Sequence, residues 1–110
     1  MSNSLPDMQQ ILAQAQDMQN QMEAAQQEIL ATEIVGQAGN GLVKITMTGG
    51  GQVKEVAIDP SVVDPEDIET LQDLIAGAFT DGHVRIGTLV EEKMGPLSQG
   101  LGGDIGSLFG

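Results

Sequence analysis

Few side chains in this sequence are equipped for chemistry. His83 is the sole imidazole, and nothing beside it in sequence resembles a nucleophilic triad. The plain reading is an exposed helical histidine. There is no cysteine, which excludes thiol nucleophiles, disulfides and thiolate zinc sites. Asp64, Glu66, Asp67 and Glu69 bunch four carboxylates together. A calcium loop needs a Gly at its sixth position and a Glu at its twelfth, and this cluster has neither. It suits a helix N-terminus instead. Gly36-x-x-Gly39-x-Gly41 reverses the dinucleotide-binding spacing and leads into no helix. Gly49-Gly50-Gly51 lacks the Lys-Ser/Thr of a phosphate loop. Both read as turns. These residues give no reason to expect an enzyme, a metal centre or a bound cofactor.

The remaining chemistry is charge. The 110 residues carry 16 acids against 4 bases, for a net charge of −12 and a pI near 4.1. Such a field repels nucleic acid and anionic lipid at long range. The cations are Lys44, Lys54, Arg85 and Lys93, and a dimer would hold twice that set. DNA-binding proteins that make about 6–10 phosphate contacts show steep salt dependence. Reaching that range would need every cation on one face. Asp81 lies four residues before Arg85, the favourable helical pairing, and Glu91-Glu92 precede Lys93. Trp and Tyr are absent and Phe occurs twice, which excludes an aromatic platform for stacking bases. No apolar run approaches the ~18 residues of a membrane span. Met1–Asp7 carries no basic segment and no apolar core of a leader. The expectation is a soluble intracellular protein without a membrane partner.

Two helical segments and a small sheet must position these charges. Met8, Ile11, Ala15, Met18, Met22, Ala25 and Ile29 recur at steps of 3 and 4, a heptad seam on a helix expected over 7–33. At 1.5 Å per residue it would run about 40 Å. Glutamines flank the seam, and a stripe so long and narrow is expected to pack on a second chain along part of its length, the plainer reading being an amphipathic helix on its own sheet. Glu33-Ile34-Val35 supplies a short first strand, and 36–41 is turn-rich. Val43, Ile45 and Met47 alternate with Lys44, Thr46 and Thr48 as a second strand. Gly49-Gly50-Gly51 makes a flexible hairpin loop, and Val53, Val56 and Ile58 form a third strand whose change of phase implies a bulge. So small a sheet is marginal alone. Asp64-Pro65-Glu66-Asp67 starts a helix with Asp64 as its cap. That helix is weakened but not broken at Gly77, Gly82 and Gly87. The Gly-rich stretch after Gly95-Pro96 reads as a disordered tail.

Met18-Gln19-x-x-Met22, the run Thr32–Met47 with its Gly39-Asn40-Gly41-Leu42-Val43-Lys44 core, Val56-Ala57-Ile58-Asp59-Pro60-Ser61, Leu71-x-Asp73-Leu74-Ile75-Ala76 and Glu92-Lys93-Met94 occur in an order that resembles the YbaB/EbfC family of nucleoid-associated proteins. The resemblance covers about residues 8–97. It implies an α+β fold: an α-β-β-β-α protomer with a long N-terminal helix, a small antiparallel sheet and a long C-terminal helix, paired as an intertwined homodimer. It implies cytoplasmic, nucleoid-associated proteins that bind DNA with little sequence preference.

In basic relatives the first helix bears several lysines. The matching positions here are Ala13, Gln21 and Ala24, and a typical Arg-Arg pair in the last helix becomes Val84-Arg85. Arg85, Lys93 and Lys44 are the nucleic-acid-binding candidates that the resemblance carries over. The dimer-interface candidates are Met8, Ile11, Ala15, Met18, Met22, Ala25 and Ile29 with Val43, Ile45 and Met47. The chain then divides into a flexible start over 1–6, a dimerisation domain over 7–95 and the tail over 96–110. Two functions stand side by side. One is weak, sequence-indifferent binding of duplex DNA in nucleoid organisation or gene regulation. The other is an acidic dimeric adaptor that engages a replication or recombination protein, or a basic DNA-binding partner, and has little or no DNA affinity.

Overall fold

In a computed structural model the backbone is described over residues 4–109 and the side chains over 8–97. The element order is α1 (Ser4–Ala31), β1 (Glu33–Ala38), β2 (Val43–Thr48), β3 (Val53–Ile58), a 3-10 turn (Pro60–Val62) and α2 (Ile68–Phe109). This is the expected α-β-β-β-α protomer. Of the start expected to be flexible, residues 1–3 lie outside the described residues, and α1 opens at Ser4. The bounds of α2 take in residues 96–109 of the stretch expected as a tail. Pro96 lies inside that helix and cannot donate to the Glu92 carbonyl one turn back.

The sheet is an antiparallel meander in the order β1-β2-β3. Val43, Ile45 and Met47 of the central strand face α2 and are closed off there with Ala78. Leu71, Leu74, Ile75 and Ile86 of α2 pack around them. This cluster is the core, and the strand alternation puts it on one face of the sheet. The register sets Ile34, Gly36 and Ala38 opposite Met47, Ile45 and Val43, so the same face of β1 also meets α2. It sets Val53, Val56 and Ile58 opposite the same three residues from the other side. Those three remain 42%, 46% and 37% exposed. The helix therefore covers β1 and β2 and leaves the apolar face of β3 open. The molecule measures 81 × 30 × 15 Å, and among the described residues no second layer covers the outer face of the sheet, where Lys44 is exposed.

The implied bulge is present. Thr46 opposes Glu55 and Met47 opposes Val53, so Lys54 is the extra residue. The β1–β2 turn holds Gly39, Asn40 and Gly41 all at positive φ, where glycine and asparagine carry the least penalty.

Three readings from sequence are corrected. Gly36 is a strand residue rather than a turn residue: a Cβ there would lie 2.7 Å from Gly82 Cα. A glycine inside a strand marks a close backbone approach. Gly82, read as a weakness in the helix, is the other half of that contact. Asp64 does not cap α2. Its side chain accepts from the Glu66 N–H at 3.0 Å and its carbonyl from the Asp67 N–H at 2.9 Å, which makes Asp64–Asp67 a turn with Pro65 at its second position. Asp67 is the cap, accepting from the Thr70 N–H at 3.3 Å and the Thr70 hydroxyl at 2.7 Å.

The Gly49-Gly50 loop is likewise not merely flexible. Gly49 packs directly beneath the Ile29 backbone, and a Cβ on Gly50 would lie 2.7 Å from Leu30 Cδ2. The Gly49 N–H donates to the Thr32 carbonyl at 3.0 Å. This loop seats the C-terminal end of α1 on the hairpin.

Candidate nucleic-acid interface

The four cations spread over three elements. Arg85 and Lys93 stand on α2, eight residues apart, which is about 12 Å of rise. Lys44 lies opposite Gln37 and Ala57 on the sheet face turned away from α2 and is exposed. Lys54 stands at the bulge of β3.

Three of the four already face a carboxylate. Lys93 Nζ donates to Glu28 Oε1 at 2.9 Å, joining α2 to the last turn of α1. Arg85 Nε donates to Asp81 Oδ2 at 2.9 Å, the i,i+4 pairing legible in the sequence. Lys54 Nζ lies 3.8 Å from Glu33 Oε2. Lys44 alone has no carboxylate in ion-pair range among the described residues. The Glu28 hydrogen bond, with its charge, holds the Lys93 ammonium above the ordinary lysine range. Asp81 is held below the ordinary carboxylate range, first by the Gln37 N–H at 2.9 Å and then by Arg85. That bond from Gln37 also ties β1 to α2.

Carboxylates interleave with the cations on α2. An open groove of about 530 Å³ between β1 and α2 has Ile34, Val35 and Leu89 in its lining, together with Arg85, Glu33 and Glu92. A second groove, about 370 Å³, runs between α1 and α2 over Gln26, Ile29, Leu30, Val90 and Met94 and has no charged group in its lining. Among the described residues no cluster of His, Cys, Asp and Glu could hold a metal ion. His83 sets its ring edge-on to Phe79 at 4.5 Å and lies exposed on α2. Among the described residues no helix is long and apolar enough to cross a membrane.

The residues expected at a dimer interface fall into three groups. Met8 and Ile11 are 60% and 63% exposed, Met22 is 38% exposed, Ala15 is exposed and Met18 half-buried. Ala25 and Ile29 are buried where α1 meets the rest of the protomer. Val43, Ile45 and Met47 are enclosed by α2 within the protomer, so the face they share reaches the surface only along β3. Sequence reasoning did not single out Val53, Val56 and Ile58 as an exposed strip. It had their alternation but not the path of α2 across the sheet. It also had no signal for Glu28, which is 65 residues from Lys93.

Comparison with known proteins gives a concordant result. The model of the YbaB/EbfC DNA-binding family matches residues 4–101. A nucleoid-associated protein of Corynebacterium efficiens is 68% identical over 104 residues, covering 94% of this chain and 97% of the relative. One of Corynebacterium diphtheriae is 62% identical over 104 residues, with the same coverage. A crystal structure of an uncharacterized protein from Helicobacter pylori aligns with a TM-score of 0.58 at 22% identity, covering 71% of this chain and 90% of that one. That likeness concerns the fold.

Proposed function

Since the chain belongs to the YbaB/EbfC DNA-binding family, we propose that it acts as a nucleoid-associated homodimer that binds duplex DNA weakly and with little sequence preference, in nucleoid organisation or gene regulation. The observation that carries the strength of binding is the state of the cations: three of the four are engaged with carboxylates of their own protomer. Arg85, Lys93 and Lys44 are the residues assigned to phosphates. Cationic contacts to phosphates fix position without reading bases, which accounts for indifference to sequence. Two copies offer about six such contacts, so the logarithm of affinity falls with the logarithm of salt at a slope no steeper than about −5. Binding then lies within the cytoplasm at low affinity, against a repulsive field of −12 per protomer.

The homodimer is supported by two uncovered apolar surfaces. One is the seam on the N-terminal part of α1, where Met8 and Ile11, and Leu12 beside them, are all at least 60% exposed. The other is the β3 strip of Val53, Val56 and Ile58 beside α2. A monomer does not ordinarily leave such contiguous surface to water. Sedimentation at micromolar concentration is expected to return the dimer, and a compact monomer refutes it.

DNA binding is tested by mobility shift on duplex DNA at low and moderate salt, with wild type and an Arg85→Ala/Lys93→Ala variant. Wild type is expected to shift DNA at low salt only, and the double variant to lose the shift. No shift at low salt refutes DNA binding. A shift unchanged in the double variant refutes the assignment of Arg85 and Lys93. The second reading, an acidic adaptor for a replication or recombination protein or a basic DNA-binding partner, rests on the groove where Glu33 and Glu92 stand with Ile34, Val35 and Leu89 and a single cation, Arg85. It is refuted if the immobilised dimer retains no such protein.

A further inference from the structure

We propose that Glu28 sets the ceiling on DNA affinity in this protein, by holding the Lys93 ammonium in an inter-helix ion pair that a phosphate must break. The inference rests on the DNA-binding reading above. The two ion pairs on α2 are not equivalent. Arg85 is held through Nε alone, and its terminal nitrogens make no bond among the described residues. A guanidinium keeps a fork of donors for phosphate while one edge is occupied, so Asp81 orients Arg85 without using it up. Lys93 is a compact point charge. Its Nζ sits 2.9 Å from Glu28 Oε1, with the lysine side chain 35% exposed. A phosphate that takes up Lys93 Nζ competes with that carboxylate, with Glu92 adjacent in sequence. It must displace Glu28 or sit beside an uncompensated negative charge. The raised proton affinity of Lys93 has the same source, and the ammonium stays charged throughout the working range.

The pair is also easily opened. Glu28 is 57% exposed, and exposed pairs contribute little to stability. Glu28→Gln keeps length and hydrogen-bonding capacity, and Ile29 and Leu30 still face Val90 and Met94 across the α1–α2 groove.

The experiment is a titration of duplex DNA with the full chain by anisotropy at several salt concentrations. Wild type, Glu28→Gln, Glu28→Ala, Lys93→Ala and the double variant Glu28→Gln/Lys93→Ala are compared, with Glu69→Gln as a control for the same change in net charge. Freeing two ammonium groups per dimer is expected to tighten binding about three- to tenfold at low salt and to steepen the salt slope by roughly 2. The gain must exceed that of Glu69→Gln, appear in both Glu28 variants and vanish in the Lys93→Ala background. A gain equal to the control, or one that survives loss of Lys93, overturns the inference while leaving DNA binding intact. Absence of binding by every variant, at every salt concentration, overturns the DNA reading and this inference with it.

Discussion

Replacing Gly36 by alanine tests the reasoning about how α2 seats on the sheet. The added methyl would stand 2.7 Å from Gly82 Cα and closer still to the Ala78 carbonyl oxygen. Both obstacles are backbone, so no side chain can swing aside. Either β1 bends or the helix lifts from a core in which Val43 and Met47 have no exposed surface. Overpacking of a well-filled core costs about 1–3 kcal/mol, and rigid obstacles on both sides put this case near 3. For a domain of this size each kcal/mol moves the melting temperature by about 4–8 °C, so the expected loss is about 12–24 °C. Gly82→Ala meets the Met47 terminal methyl, the far end of a flexible side chain, and should lose less. Gly87→Ala meets nothing within 4 Å and gains about 1 kcal/mol of helix propensity, so it should melt higher than wild type. With no Trp and no Tyr, the assay is far-ultraviolet circular dichroism, at fixed protein concentration because association shifts the midpoint. A Gly36→Ala melt within 3 °C of wild type, or Gly87→Ala below it, would refute the packing argument.

Three further expectations follow from the same geometry. Asp67→Ala should cost about 1 kcal/mol through loss of the cap, lowering the melt by about 4–8 °C, while Asp64→Ala should cost less; the reverse order would return the cap to Asp64. Asp81 has its proton affinity lowered in the folded state by the Gln37 N–H and then Arg85. Its contribution is therefore present above the ordinary value of 3.8 and lost as pH falls below it toward the lowered folded value. Asp81→Asn should flatten that acid limb of a stability-versus-pH curve, and an unchanged limb would contradict the assignment. Val56→Asp on the open β3 strip should leave the protomer's helical spectrum intact and shift sedimentation toward monomer; a dimer of unaltered affinity would remove that strip from the interface.

The periodicity of residues carried the architecture. Steps of 3 and 4 marked α1, alternation marked β2, and the phase change between Val53 and Val56 marked the bulge at Lys54. The glycines were misread because a glycine permits both a turn and a close approach, and composition does not separate them. Gly36 and Gly82 are explained only by each other, 46 positions apart. The same limit hid the site. Asp81 and Arg85 are neighbours on one helix and could be paired by counting. Glu28 and Lys93 meet only because α1 ends against α2, which no local spacing encodes. The exposure of β3 depends on which strands the helix axis crosses, a tertiary fact with no signature in the strand itself.

The seat of α1 on Gly49 and Gly50, with the Glu28–Lys93 pair beside it, makes the helix a lever held only near its C-terminal end. Twenty-eight residues give it a reach of about 42 Å. A swing of only 5° at the root would carry the tip by roughly 4 Å, about one base-pair rise of DNA. The loop that reads as most pliant in the sequence therefore shares, with the neighbouring face of α2, control of where the N-terminal end of α1 points. A single side chain added at Gly49 would re-aim the whole helix while leaving every residue along it unchanged.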